Sequence, residues 1–139
     1  MILRATIFTL LMTGRILAAD LRITDSGNTT VQVRDVIIDY STFSNDKEKE
    51  GIRIVQGDAT ILVKWDNIES LTISGRDDSV TPSRLRVDIV TKRGQKQTGI
   101  LVRKGKMRIT GQSELGDYAI DIDKIKVISP VATTRTTPS

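Results

Sequence analysis

The chain has 139 residues, of which 38% are hydrophobic and only 4% aromatic, and its formal net charge is +4. It contains no Cys and no His, which excludes disulfides, iron–sulfur clusters, thiolate zinc sites and any chemistry that needs a histidine base. The length suits one domain or two very small ones, with an aliphatic core in which β-branched side chains favour strands.

The first nineteen residues have the order of a signal peptide. Residues 1–4 are Met-Ile-Leu-Arg, residues 5–12 form a short apolar run, and residues 17–19 are Leu-Ala-Ala. This order predicts cleavage after Ala18 or Ala19, and the apolar run is shorter than the roughly 20 residues that span a bilayer. We therefore expect an exported, periplasmic or secreted protein without a transmembrane segment. The alternative is an amphipathic N-terminal helix that packs on the body or anchors it.

Short segments of alternating apolar and polar residues follow along the body, separated by turn residues. The alternation shifts by one residue at Asp35, which predicts a bulge, and Gly57 and Gly94 lie in predicted tight turns. No long window has a helical period, so the pattern predicts an all-β domain over residues 20–129, a small barrel or sandwich. Residues 130–139 are rich in Pro, Thr and Ser, and we expect them to be disordered. The predicted strands cover residues 21–24, 31–34, 36–38, 52–54, 60–65, 85–89, 99–102, 107–109 and 118–122.

Two stretches of the body resemble each other, residues 31–73 and 85–128. Residues 51–57 match residues 99–105, and residues 63–71 match residues 120–128, with an insertion at residues 112–119 of the second copy. The match predicts one strand-turn-strand unit used twice. In each unit an Asp, Asp66 or Asp123, would accept backbone N–H bonds at the start of a short turn. The alternative is chance similarity between strands built from few residue types.

One hairpin resembles part of a known family. The pattern Val87-x-Ile89-x-x-x-x-Gly94-x-x-x-x-Gly99-x-Leu101 is similar to the first half of an Sm-like domain, in which two strands joined by a Gly turn curl into a small barrel. The resemblance covers about fifteen residues and implies barrel geometry. The Asp and Asn through which Sm-like proteins contact RNA are not found in residues 102–107, so the resemblance does not carry over RNA contacts.

Basic residues are concentrated between Lys92 and Arg108. This stretch could face phosphates or an anionic envelope polymer, but it holds no aromatic side chain to stack a base. Without Arg4 and Arg15 of the predicted signal peptide, the remaining 19 basic and 17 acidic residues give a net charge of only +2. We therefore expect a solvated surface and no specific nucleic-acid binding. The basic residues are Lys92, Arg93, Lys96, Arg103, Lys104, Lys106 and Arg108.

Three carboxylates, Asp117, Asp121 and Asp123, lie close together in the sequence. On one strand, Asp121 and Asp123 would share a face about 7 Å apart, a spacing that could serve Ca²⁺ or a glycosidase pair. Their alternation with apolar residues favours an outer polar face instead. The single Trp, Trp65, alternates with core positions, so we expect it to be buried rather than exposed for stacking.

The sequence therefore predicts an exported, non-enzymatic binding or structural module, with no catalytic, cofactor or metal residues. The expected partner is another protein or an envelope polymer, recognised through a sheet edge or a loop face. Two alternatives remain open. One is a nucleic-acid-binding Sm-like protein, and the other is a hydrolase that uses Asp117, Asp121 or Asp123.

Overall fold

The protein is all-β, as predicted. A computed structural model describes residues 19–40, 47–103 and 106–131. Residues 1–18 of the predicted signal peptide (residues 1–19) and residues 132–139 of the predicted tail lie outside the described residues. Two three-residue 3₁₀ turns, Trp65–Asn67 and Ile122–Lys124, are the only helical segments in the described ranges. The strands are β1 (Leu21–Asp25), β2 (Thr30–Asp39), β3 (Lys47–Glu48), β4 (Gly51–Gln56), β5 (Ala59–Lys64), β6 (Ile68–Asp77), β7 (Arg84–Thr91), β8 (Lys96–Leu101), β9 (Arg108–Ser113), β10 (Gly116–Asp121) and β11 (Ile125–Pro130).

All these strands belong to one antiparallel sheet that curls into a half-barrel. Ten of them follow the order β10-β9-β2-β1-β11-β6-β7-β8-β4-β5, and the short β3 pairs with β2. The sheet therefore ends at β10 on one side and at β5 on the other. The last strand runs one residue past the predicted boundary at 129, because Pro130 pairs with Leu21 in β1 and the N–H of Val131 donates to the Asp20 carbonyl.

The alternating pattern gives one buried face. In β7, for example, Leu85, Val87 and Ile89 are buried while the residues between them are exposed. The buried apolar side chains of the described residues form a single cluster with no buried polar residue in it. Trp65 is buried within that cluster at 2% exposure, as predicted.

Local features also follow the sequence. The register between β2 and β9 shifts between Arg34 and Ile37, and Asp35 has a φ of 50°, so the predicted bulge is present. Gly57 and Gly94 close the β4–β5 and β7–β8 hairpins with positive φ values of 63° and 85°, a conformation that glycine adopts without steric cost. The hairpin that carries the Sm-like resemblance is thus formed by β7 and β8.

The strand order is symmetric about the central β11–β6 pair. Counted outward from this pair, the strands β11, β1, β2, β9 and β10 on one side correspond in turn to β6, β7, β8, β4 and β5 on the other side. Leu71 and Ile128, which lie 57 positions apart, pair with each other at the centre of the sheet. The same shift relates two backbone hydrogen bonds that precede the 3₁₀ turns: Trp65 N–H to Glu50 O and Ile122 N–H to Met107 O. An approximate two-fold axis therefore passes between β6 and β11.

This equivalence differs from the alignment read from the sequence. The sequence match pairs residues 51–57 with residues 99–105, but the structure equates β4 with β9, which begins at Arg108, 57 positions after Gly51. No insertion is then needed, because β5 and β10 are related by the same shift. The predicted Asp caps are also wrong. The 3₁₀ turns are preceded by Lys64 and Asp121, neither of which makes a side-chain cap hydrogen bond.

Candidate binding edges

The β5 edge, residues Ala59–Lys64, is an apolar strand at the end of the sheet. Within the described residues it pairs only with β4. Ile61 is 36% exposed, and Leu62 and Val63 are half-buried. Soluble proteins usually protect such edges with charges, proline or bulges, whereas β5 has one charged residue, Lys64, and no register shift in its pairing with β4. The outer edge of β5 therefore has no partner strand among the described residues.

The direction of the backbone groups on β5 follows from its hairpin. Leu62 lies opposite Arg53, and both backbone groups of Arg53 are used on the side away from β5. Its N–H donates to the Tyr40 hydroxyl at 3.2 Å, and its carbonyl accepts from Val102 N–H at 3.0 Å. The Arg53–Leu62 pair is thus one of the non-hydrogen-bonded pairs of an antiparallel ladder. Leu62 and its alternate neighbours, Thr60 and Lys64, therefore direct N–H and C=O outward.

The two faces of β5 differ. Ile61 lies opposite the buried Ile54 and Val63 opposite the buried Ile52, and directly opposed residues project to the same face. The apolar face of the core therefore continues to the β5 edge, where no further strand of the described ranges covers it. This edge was not predicted from the sequence, although residues 59–64 are a six-residue, mostly apolar segment with one charge and no proline, a composition typical of strands prone to edge pairing.

The β10 edge, residues Gly116–Asp121, occupies the equivalent position at the other end of the sheet. It pairs only with β9 in the described part of the chain. Ile120 lies opposite the buried Ile109, and Tyr118 lies opposite Gly111, so both project to the core face. Burial, with a smaller contribution from the Asp25 carboxylate, raises the pKa of Tyr118. On the outer face this edge carries two carboxylates, Asp117 and Asp121.

The three predicted carboxylates do not form one site. Asp117 and Asp121 are exposed on β10, but Asp123 lies in the second 3₁₀ turn, so the expected shared strand face of Asp121 and Asp123 is wrong. Asp117 accepts a hydrogen bond from Gln112 Nε2 at 2.9 Å. Among the residues that the structure describes, no group of three acidic side chains could hold a metal ion.

Asp123 instead forms an ion pair with a buried arginine. Arg103 Nη2 lies 3.0 Å from Asp123 Oδ2, and the Arg103 side chain is only 7% exposed. Arg103 Nη1 also donates to the Ser83 carbonyl at 2.6 Å, and Arg76 Nη2 lies 3.5 Å from Asp123 Oδ1. The cluster ties the β6–β7 loop and the segment after β8 to the second 3₁₀ turn, which is a structural role.

The predicted basic stretch is divided between strands that are not neighbours in the sheet. Lys92 and Arg93 lie in the β7–β8 turn and Lys96 in β8, whereas Arg108 lies in β9. In the sheet order five strands separate β8 from β9. The Arg103 side chain is largely buried and forms an ion pair with Asp123. Lys104 is outside the described residues.

No helix in the described ranges is long and apolar enough to cross a membrane. No protein-family model matches the chain, and comparison with curated proteins and with solved structures finds no match.

Proposed function

We propose that this protein is a non-enzymatic binding module that captures an extended polypeptide segment as an added strand on the β5 edge. The observation that carries the proposal is an edge strand whose outward backbone groups have no partner strand among the described residues and whose apolar side chains are partly exposed. In strand addition, backbone hydrogen bonds supply affinity and alternate side chains supply specificity. The absence of Cys and His from the sequence also favours recognition over covalent chemistry.

The side chains of β5 define the segment that would fit. A strand running antiparallel to β5 would place apolar residues against Ile61 and Val63 on the core face. An acidic residue near its N-terminus would face Lys64, which is exposed at the C-terminal end of β5. The preferred ligand is therefore an alternating apolar segment that begins with a carboxylate.

A designed peptide tests this proposal directly. A fluorescein-labelled peptide of about eight residues, which alternates valine and threonine after an N-terminal aspartate, is titrated by fluorescence anisotropy. Leu62→Pro removes one outward N–H without removing a β4–β5 hydrogen bond, since proline is tolerated on edge strands. We expect this change to weaken binding at least tenfold, or about 1.4 kcal/mol.

The matched control is Ala119→Pro, which makes the same change at the equivalent position of β10 and should leave peptide binding intact. A second control is the peptide with alternate amides N-methylated, which should not bind because it cannot complete the ladder. Equal affinity of wild type and Leu62→Pro, with both proteins folded by circular dichroism, would contradict the proposal.

We also propose that the protein is exported. The charged, apolar and small-residue order of residues 1–19 supports this. Intact mass of the protein from its native host should show a chain that begins at Ala19 or Asp20. A mature chain that retains Met1 would contradict export by this route.

A further inference from the structure

We propose that the strand captured by the β5 edge is the β10 edge of a second copy of this chain. This inference rests on the proposed function and names its partner. Both edges are six residues long, they lie at opposite ends of the same sheet, and the two-fold relation of the fold makes them equivalent. Each copy therefore carries one β5 edge and one β10 edge.

The backbone groups of the two edges match in one symmetric register. Ala119 is the equivalent of Leu62, 57 positions later, and lies opposite Thr110 as Leu62 lies opposite Arg53. The outward groups of β10 are therefore those of Asp117, Ala119 and Asp121, spaced like those of β5. Antiparallel pairing centred on Leu62 and Ala119 places every outward residue of β5 opposite an outward residue of β10, which gives three hydrogen-bonded pairs and about six backbone hydrogen bonds.

The side chains on the core face complement each other in this register. Ile61 would lie opposite Ile120, and Val63 would lie opposite Tyr118. All four belong to strand faces that already point to the core, and Val63, Tyr118 and Ile120 contact the core cluster while still partly exposed. Aromatic and β-branched residues are favourable cross-strand partners. Pairing would therefore extend the apolar face from one copy into the next.

The outer face supplies charge complementarity. Lys64 of one copy would lie opposite Asp117 of the other, and Thr60 would lie opposite Asp121. Lys64, Asp117 and Asp121 are all exposed. The same register would be unfavourable between two β10 edges, because Asp117 of one copy would lie opposite Asp121 of the other. The pairing of unlike edges is therefore preferred to pairing of two β10 edges.

The fold already contains a junction of this kind. At the centre of the sheet, β6 pairs antiparallel with its equivalent β11, and Leu71 lies opposite its own equivalent Ile128. The proposed contact would repeat this arrangement between chains, with Leu62 and Ala119 at the centre. Because β5 meets β10 and not another β5, the contact is heterologous. Each copy keeps one further free edge, so such contacts close into a ring or continue as a filament.

Sedimentation velocity on the full chain and two edge variants tests this partner. Leu62→Pro blocks the β5 edge and Ala119→Pro blocks the β10 edge, while circular dichroism checks that both variants fold. Wild type should assemble in a concentration-dependent way. Each variant alone should self-associate with a dissociation constant at least tenfold higher than that of the wild type. A 1:1 mixture of the two variants should form dimers with the wild-type dissociation constant, because each variant supplies the intact edge that the other lacks and the remaining edges are blocked.

Charge reversal gives a second measurement that does not depend on proline. Lys64→Asp and Asp117→Lys should each weaken assembly roughly two- to fivefold at low salt, and both changes in one chain should restore it. A wild-type chain that stays monomeric at millimolar concentration, or a mixture of the proline variants that stays monomeric, would overturn this partner. If Ala119→Pro still bound the designed peptide in that case, the proposed strand capture would stand and only the identity of the partner would fail.

Discussion

Gly99 and Ile54 form a tightly matched pair between β8 and β4, and their coupling can be measured. A Cβ placed on Gly99 would lie 2.7 Å from Ile54 Cδ1 and 3.0 Å from the Val55 carbonyl oxygen. Gly99→Ala should therefore overpack this site and destabilise the protein by about 1–3 kcal/mol. Ile54→Val removes the Cδ1 methyl and should cost about 0.5–1.5 kcal/mol on its own.

The double variant decides whether this contact is the cause. With Cδ1 absent, the nearest Ile54 atom to the new Cβ is Cγ1 at 3.4 Å, an ordinary contact, and the alanine methyl fills the vacated space. We expect the loss of unfolding free energy in the double variant to be smaller than the sum of the two single losses by about 1 kcal/mol or more. Urea unfolding followed by the fluorescence of Trp65, the only Trp in the sequence and a buried one, measures all four proteins. Additivity within about 0.5 kcal/mol would refute the reasoning.

Two further predictions concern polar groups of the body. Asp123→Asn removes the carboxylate that pairs with the buried Arg103 and should destabilise the protein by about 1–3 kcal/mol in urea unfolding. Asp66→Asn, at the exposed equivalent position, should change stability by less than about 0.5 kcal/mol, and equal effects of the two would contradict the role of the ion pair. Burial raises the pKa of Tyr40, so the folded state holds this proton more tightly than the unfolded state, and stability should fall as the pH rises above about 10. Tyr40→Phe removes the hydroxyl that accepts the Arg53 N–H, so this variant should be less stable than the wild type at neutral pH. Above about pH 10 it should lose less stability than the wild type does. Parallel pH profiles of stability for the two proteins would contradict this assignment.

The sequence predicts those parts of the fold that depend on neighbours along the chain. Alternation in β7, the bulge at Asp35, and the Gly57 and Gly94 turns are each set by a few consecutive residues, because side-chain period and backbone conformation are local properties. The same reasoning places Trp65 in the core, since it continues an alternating run.

Pairings between distant strands could not be predicted in this way. The basic residues between Lys92 and Arg108 are close in the sequence, but five strands separate β8 from β9 in the sheet order. The Arg103–Asp123 ion pair joins residues 20 positions apart through loops whose path is not periodic. The alignment of the repeat failed at its first segment because a strand followed by a Gly turn is generic, whereas the hydrogen bonds before the two 3₁₀ turns fix the correct equivalence.

The candidate edges depend on this same non-local information. An apolar strand such as residues 59–64 is a central strand or an edge strand according to the pairing of the rest of the sheet, and its composition alone does not distinguish the two. In the observed strand order, β5 and its equivalent β10 lie at the two ends of the sheet, on either side of the approximate two-fold axis between β6 and β11. The two edges differ in their side chains, since β10 carries two aspartates and β5 carries an apolar run ending in Lys64. Equivalent backbone geometry with complementary side chains is what pairing between unlike edges requires, and it is the physical basis on which we assign strand capture to β5 and its partner to β10.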